Sequence, residues 1–458
     1  MIRTKYTMLY RTFTRHLETW YNTTPKRALL IDGARQIGKT TLIREFAKTH
    51  YGKNFAEINF ITTPSAKEIF EGDLSADEII ARLTLFLKQK LIPGKTLIFF
   101  DEIQECAQIR TAIKFLVDDG RFDYIESGSL LGINYGEITS YAVGYEDIQT
   151  MYPMDFEEFA LASGVSEETF ALLKKSYDTE KPVDPCIHEQ MLKLFTYYII
   201  IGGMPACVQE YVKSRDMARV SEIQTSILKL YKKDITKYAG SDAAKVTRIF
   251  DAMPAELNNK NKRFMLSDLA KTARIERYES CFNWLSDAGV ALPCWNLTEV
   301  KEPVEINLKR SLFKFYLCDT GLLCAMCGGD TQYKIVNGAL EINEGSILEN
   351  LFAQSLQAAG FALYYYDRKS IGEVDFVVQQ KGTLLPVEIK SGKDYTKHNA
   401  LNNLLEVEEF KLDNAIVFCI GNVCRDGKIL YLPLYMSMFF KRETMLDKIR
   451  LDFSLPAV

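Results

Sequence analysis

Eight residues constrain this chain most: Gly33-Ala34-Arg35-Gln36-Ile37-Gly38-Lys39-Thr40 fits G-x-x-x-x-G-K-[ST], directly behind the apolar run Ala28–Ile31 and at the head of a helix-like run, Lys39–His50. Glycines at these positions let successive backbone N–H groups curl around phosphate oxygens at a helix N-terminus, where the helix dipole also favours negative charge. The pattern therefore predicts an ATP site. Lys39 bridges the β- and γ-phosphates, the Thr40 hydroxyl holds Mg²⁺, and Gly33, Arg35, Gln36, Gly38 and Thr41 complete the loop.

A second half of the site follows at Leu97-Ile98-Phe99-Phe100-Asp101-Glu102, an apolar strand ending in two acids. Acids at the end of a buried strand need a reason. Asp101 is expected to hold the magnesium with Thr40, and Glu102 to accept the proton of an attacking water, which makes Glu102 and Lys39 the catalytic candidates. A polar residue after the next strand commonly senses the γ-phosphate, and "YIESGSLL" offers Ser127 and Ser129. No arginine occurs between Arg121 and Arg215, so an arginine reaching across a subunit interface is not placed, and the oligomeric state stays open.

Around these motifs short apolar runs alternate with helix-like stretches: Phe55–Phe60, Ala76–Lys90, Thr96–Phe100, Ile109–Val117 and Phe122–Glu126. That alternation implies a parallel sheet covered on both faces. A chain of 458 residues, 47% hydrophobic and 25% charged, is too long for one core and implies two to four globular domains. The net charge of -4 excludes a protein that coats nucleic acid through bulk charge, so any DNA contact must come from a local site. The longest apolar run, Leu194–Ile201, is far short of the roughly 20 residues of a membrane span, and a soluble, cytoplasmic protein is expected. Ten cysteines without a signal peptide fit reduced thiols, and the lone Cys324/Cys327 pair lacks a partner pair at zinc-site spacing.

From Asp155 to about Ala239 the pattern is helical, interrupted by Gly202, Gly203 and Pro205, and predicts a lid or connector. Ser267 heads "SDLAKTARI" and "RYESCFNWLSDAGV" follows, before the apolar pieces "VALPCWNL" and "FKFYLCD"; helices followed by a hairpin suggest a winged helix. Glu276, Glu279 and Asp287 beside Arg277 and Tyr278 would repel phosphate, so domain packing competes with DNA contact here. The remainder predicts a helix (Ile347–Ala359), a strand (Ala362–Tyr366), a hairpin (Val374–Lys390), a helix (Ala400–Val407) and strands at Ala415–Cys419 and Ile429–Pro433.

Taken together, Gly33–Thr41 ("GxRQxGKTT"), Asp101–Gln104 ("DEIQ") and Tyr152–Phe159 ("YPxxFEEF") resemble bacterial and archaeal AAA-type ATPases fused to a C-terminal domain of unknown function. The likeness continues through "GGMP" (Gly202–Pro205), "YKKDI" (Tyr231–Ile235) and "YLCDTGLL" (Tyr316–Leu323). Gly144-Tyr145 stands where many such proteins carry Gly-Arg, which removes another arginine.

Near the end, Glu349 on a helix precedes Gly372-Glu373-Val374-Asp375 and Val387-Glu388-Ile389-Lys390. Side chains alternate along a strand, so Glu388 and Lys390 share one hairpin face, and Asp375 on the partner strand can meet them. Asp375 and Glu388 can hold a divalent metal while Lys390 orients a nucleophile and Glu349 completes the set. This arrangement resembles the PD-(D/E)XK nuclease superfamily, with Val374 at its nominal proline. The resemblance implies a nuclease-like fold, with cleavage of DNA as one outcome and an inactive domain that binds protein or nucleic acid as the other.

The resulting expectation is an α/β protein: an AAA-type ATP-binding core (1–154), a helical lid (155–240), a winged-helix-like middle (241–330) and a PD-(D/E)XK nuclease-like α/β domain (331–458). ATP and Mg²⁺ are the expected ligands, with DNA or a protein as candidate partners and no membrane.

Overall fold

The apolar runs that flank the phosphate-binding motif become neighbouring strands of one sheet in the computed structural model, which describes residues 9–128, 144–259, 263–265, 277–337 and 344–445. Five strands, β1 (Ala28–Asp32), β2 (Phe55–Asn59), β3 (Leu97–Asp101), β4 (Asp123–Ser127) and β5 (Glu146–Thr150), stand in the order β2-β3-β4-β1-β5. All four pairings are parallel. Every residue of β1 and β3 is buried, as a strand covered by helices on both faces requires. Leu30, Ile58, Ile98 and Phe100 share one core cluster with Ile79 and Leu83 of the helix Ala76–Leu87 and Ile109, Ile113 and Leu116 of the helix Ile109–Asp119.

Because every strand runs the same way, all the carboxyl ends open on one edge, where open parallel sheets bind ligands. Register decides which side chains meet there. Asn59 pairs with Asp101 and Asp101 with Ser127, which puts three polar residues in one row across β2, β3 and β4.

The chain divides into two compact units. The first takes the residues up to Met154, Ile201–Ala252 and Leu266–Ala291; the second takes Asp155–Ile200, Met253–Met265 and Leu292 onward. The helical stretch read as a lid is thus shared. Helices Phe156–Ala162, Glu167–Asp178 and nearly all of Pro185–Ile201 belong to the second unit, whereas Pro205–Ser214 and Met217–Tyr238 belong to the first. The change falls beside Gly202, whose φ of 75° ends a helix in the left-handed conformation that glycine tolerates.

The second unit is built on an eight-stranded mixed sheet ordered β12-β13-β11-β10-β9-β8-β6-β7. Its strands are β6 (Ala291–Leu297), β7 (Leu308–Leu317), β8 (Tyr364–Arg368), β9 (Gly372–Gln380), β10 (Thr383–Lys390), β11 (Ala415–Cys419), β12 (Cys424–Asp426) and β13 (Ile429–Pro433). β9 and β10 form an antiparallel hairpin closed by Lys381 and Gly382, both at positive φ, the turn whose twist matches the strands. β10 then pairs in parallel with β11 and β11 with β13, after a crossover through the helix Asn399–Leu405.

Of the winged-helix expectation, Ser267 and the rest of the "SDLAKTARI" helix lie outside the described residues, and Glu279–Asp287 is a helix. The two strands expected to form its hairpin, β6 and β7, stand at one end of the large sheet, where β6 runs parallel to β8 with Trp295 opposite Tyr364. Among the described residues no helix is long and apolar enough to cross a membrane. All ten cysteines are free; Cys324 is buried and Cys327 exposed.

Candidate functional site

At the carboxyl edge of the five-stranded sheet, the loop after β1 turns into the helix Lys39–His50 through Gly38, held at φ 93°. Gly33 sits at φ 123°, and a Cβ there would stand 2.2 Å from the Met151 carbonyl oxygen, so the loop's path admits only glycine at that point. A cleft of about 530 Å³ opens beside it, lined by Arg35, Gln36, Gly38, Lys39, Thr40, Thr41, Asp101, Glu102 and Ser127 together with Arg11, Pro205 and Gln209.

Lys39 folds back onto its own loop, donating to the carbonyl oxygens of Gly33 at 2.7 Å and Ala34 at 2.9 Å. Burial pushes its ammonium down to about 8, although Glu102, Asp32 and Asp101 all favour the charged form. Asp32, the last residue of β1, is raised in turn, chiefly by burial.

Asp101 is the hub. Its carboxylate accepts hydrogen bonds from Asn59 Nδ2 at 2.8 Å, from the Thr40 hydroxyl at 3.1 and 3.3 Å, from the Ser127 hydroxyl and from the Glu102 backbone N–H at 3.1 Å. A carboxylate and a hydroxyl aimed at each other beside a phosphate-binding loop are the hard oxygen donors that Mg²⁺ selects, so these residues fit that ion. Glu102 takes the left-handed conformation, φ 59° and ψ 47°, which carries its side chain past the strand end. Its Oε2 accepts from Gln104 Nε2 and lies 3.7 Å from Arg35 Nη2. Arg35 points away from the loop's interior, with Nη1 2.8 Å from Asp234 Oδ1.

Two site residues escaped the sequence reading. Asn59 holds Asp101 from β2, and the only signal was a polar residue at the end of an otherwise half-apolar strand. Arg11 donates to Ile37 O and Tyr152 O, both at 2.6 Å, and so ties the loop to the "YPxxFEEF" segment. Ser129 lies outside the described residues.

The second unit gathers its own charges. Ligand oxygens of Glu349, Glu373 and Asp375 lie within 4.8 Å of one another. Glu373 and Asp375 are two apart on β9 and share a face. Glu349 comes from the helix Glu344–Ala358, which Asn350 locks to β7 by accepting from Leu317 N at 2.7 Å and donating to Leu317 O at 3.0 Å. Asp375 Oδ2 accepts from Ile389 N at 2.9 Å, and Lys390 Nζ donates to Glu388 Oε1 at 2.7 Å. Burial, reinforced by Asp375, raises Glu388 to about 7, and its Oε2 is buried without a hydrogen-bond partner among the described residues.

Oxygen donors of this kind suit a divalent cation, but the chain supplies a cation of its own. Lys314 of β7, with no exposed surface, stands 2.6 Å from Glu373 Oε1 and 3.2 Å from Glu349 Oε2. Tyr316 also donates to Glu349, at 3.2 Å. Burial alone would lower the Lys314 ammonium; Glu373 and Asp375 more than reverse that. Neither Lys314 nor Glu373 was singled out from sequence.

Comparison with known proteins divides the chain three ways. Residues 25–160 match a family described as an AAA domain, 192–333 a domain of unknown function (DUF8612) and 344–435 another (DUF4143). An uncharacterized protein of Methanocaldococcus jannaschii is 23% identical over 364 residues, 77% of this chain and 72% of that protein. Among solved structures, C. elegans PCH-2 aligns at 13% identity and TM-score 0.27, over 46% of this chain and 65% of that chain, less than two thirds of its length. A chain from Drosophila ORC bound to GC-rich DNA and Cdc6 aligns at 10% identity and TM-score 0.23, over 44% of this chain and 92% of that one. At such TM-scores the overlays carry no weight for function. The family match and the parallel sheet with its phosphate-binding loop make residues 25–160 an AAA-type P-loop domain.

Proposed function

We propose that this protein binds ATP and hydrolyses it with Mg²⁺, and that nucleotide state is coupled to a C-terminal DNA-binding, nuclease-like module. The observation that carries the reading is the hydrogen-bonded row Thr40–Asp101–Ser127 beside Lys39, on the carboxyl edge of an all-parallel sheet. Lys39 leaves the Gly33 and Ala34 carbonyls to meet the β- and γ-phosphates, and the loop's backbone N–H groups cradle them. Thr40 and Asp101 would hold the magnesium, which would supply positive charge beside the phosphate oxygens. Glu102 takes the proton of the attacking water, and Ser127 reports on the γ-phosphate through Asp101.

For the second unit, the order helix, β8, β9, β10, helix, β11, the approach of Glu349 to Asp375, and the Glu388–Lys390 ion pair on the adjoining strand β10 support a nuclease-like module. A second reading has its own observation. Lys314 supplies positive charge among the carboxylates that would hold the metal, which favours a domain that no longer cleaves and serves as a protein- or nucleic-acid-binding surface.

One experiment separates the two. Supercoiled plasmid and labelled single-stranded DNA are incubated with Mg²⁺ or Mn²⁺, with and without ATP, using wild type, Lys39→Ala and Asp375→Ala. Cleavage lost in Asp375→Ala and altered in Lys39→Ala supports the coupled nuclease. Absence of any cut, with ATP still hydrolysed, leaves the regulatory ATPase with an inactive domain.

A further inference from the structure

Arg35 lies inside the phosphate loop, where an arginine would be read as a phosphate ligand, yet its guanidinium is committed elsewhere. Nη1 is 2.8 Å from Asp234 Oδ1, Nη2 is 3.2 Å from the Tyr238 hydroxyl, and the group lies 5.4 Å from the centre of the Tyr238 ring. The Arg35 carbonyl is held as well, accepting from the Tyr231 hydroxyl at 3.1 Å. Tyr231, Asp234 and Tyr238 are three and four residues apart on the helix Met217–Tyr238, so a single face of that helix addresses a single residue of the loop. The same helix end grips the loop after β3: Lys237 and the Tyr238 hydroxyl both donate to Glu105 Oε1, at 3.0 and 2.9 Å.

The other neighbour of the guanidinium is Glu102, with Oε2 at 3.7 Å. That oxygen also accepts a hydrogen bond from Gln104, so Arg35 and Gln104 both hold it. One cation therefore faces two acids, Asp234 from the helix and Glu102 from the strand end. The side chains of Arg35 and Asp234 are only 17% and 7% exposed, which strengthens their attraction relative to a surface pair. Arg35 Nε and Asp234 Oδ2 are both buried without a hydrogen-bond partner among the described residues, a deficit that a tight, permanent clamp would have filled.

We infer that Arg35 is a positioning residue that restrains Glu102, and that Asp234 sets the strength of the restraint by competing for the same guanidinium. The helix Met217–Tyr238 thereby governs the acid from within the same unit. The inference rests on the ATPase reading above. Pulling Arg35 toward Asp234 releases Glu102 for the water; losing Asp234 delivers Arg35 wholly to Glu102. The two changes thus have opposite effects on turnover, while both leave the side chains of Lys39, Thr40 and Asp101 in place.

The test uses the full chain and four variants: Arg35→Ala, Arg35→Gln, Asp234→Ala and Asp234→Asn. Equilibrium binding of a fluorescent ATP analogue is measured beside kcat and KM, with hydrogen exchange of amides 229–238 recorded with and without a non-hydrolysable analogue. Both Arg35 variants are expected to keep Kd within about threefold and to raise kcat at least about threefold. Both Asp234 variants lower kcat at least about threefold, and Arg35→Ala combined with Asp234→Ala behaves as Arg35→Ala alone. The analogue changes exchange over 229–238 in wild type, and Asp234→Asn abolishes that change. A tenfold or greater loss of affinity in both Arg35 variants would make Arg35 a phosphate ligand and overturn the inference, as would kcat moving the same way in both sets. Failure of wild type to bind nucleotide at all would instead remove the ATPase reading, and this inference with it.

Discussion

Gly203 lies against the backbone of Met154 with no room for a side chain. A Cβ at Gly203 would stand 2.0 Å from the Met154 carbonyl oxygen, 2.8 Å from its nitrogen and 2.9 Å from its carbonyl carbon. All three are main-chain atoms, so no rotamer change can clear them. Relief requires the two segments to part by roughly 1 Å, which also breaks the hydrogen bond from Met154 N to Gly203 O at 2.7 Å. Overpacking of this kind costs about 1–3 kcal/mol, and the lost bond about 1 kcal/mol more, so Gly203→Ala destabilises by about 2–4 kcal/mol. At roughly 2–4 °C per kcal/mol for a unit of this size, the melting temperature falls by roughly 5–15 °C. The assay is thermal unfolding followed by circular dichroism, with Gly345→Ala as the matched control. Gly345 is in the helix Glu344–Ala358, and a Cβ added there would meet nothing within 4 Å, so alanine stabilises by roughly 0.5–1 kcal/mol. A Gly203→Ala protein that melts within about 2 °C of wild type would refute the contact reasoning.

Three further outcomes follow from the geometry. Glu102→Gln should lower kcat about 10²- to 10⁴-fold while leaving the affinity for ATP unchanged, and a parallel loss of both would remove Glu102 from the proton-transfer role. Glu126 and Glu146 flank Arg110, at 3.8 and 2.9 Å, and burial raises both carboxyls, Glu126 further through the charge of Glu146. A carboxyl raised on folding contributes stability below its unfolded pKa of about 4.3 and loses it as pH rises through the folded value. Urea unfolding should therefore show stability falling as pH rises above the unfolded carboxyl value of about 4.3, Glu126→Gln should flatten that slope, and parallel slopes would contradict it. Lys314→Met removes the ammonium from among Glu349, Glu373 and Asp375; breaking such a buried pairing costs about 3–5 kcal/mol. Mn²⁺ should restore much of the lost melting temperature in that variant and leave wild type unmoved, whereas an equal rise in both would mean that Lys314 does not stand in for a metal.

The phosphate loop, the acidic strand end and the hairpin ending at Lys390 were legible because each is local. The loop is a contiguous motif, β3 is an apolar run with acids at its end, and Lys381-Gly382 between two alternating segments marks a tight turn. What escaped is long-range. Arg11 reaches Ile37 from 26 residues upstream, and no spacing rule connects them. Lys314 meets Glu349 and Glu373 across 35 and 59 residues, although a lone lysine inside the apolar run "FKFYL" was a usable hint of a buried charge. Glu373 was open to detection, since strand alternation puts it on the same face as Asp375. Sheet membership of β6 and β7 was beyond local reading, because a two-stranded wing and two end strands of a larger sheet share one hydrophobic pattern.

The central claim, that ATP is held and hydrolysed at the loop Gly33–Thr41, is tested most directly by equilibrium binding of Mg²⁺-ATP and by phosphate release, with Lys39→Ala alongside. Loss of a charge-assisted contact is worth about 1.5–3 kcal/mol, so the variant should bind about 10- to 100-fold more weakly and release no phosphate above background, while wild type does both. Wild type that binds no ATP, or Lys39→Ala that turns it over at the wild-type rate, would contradict the account.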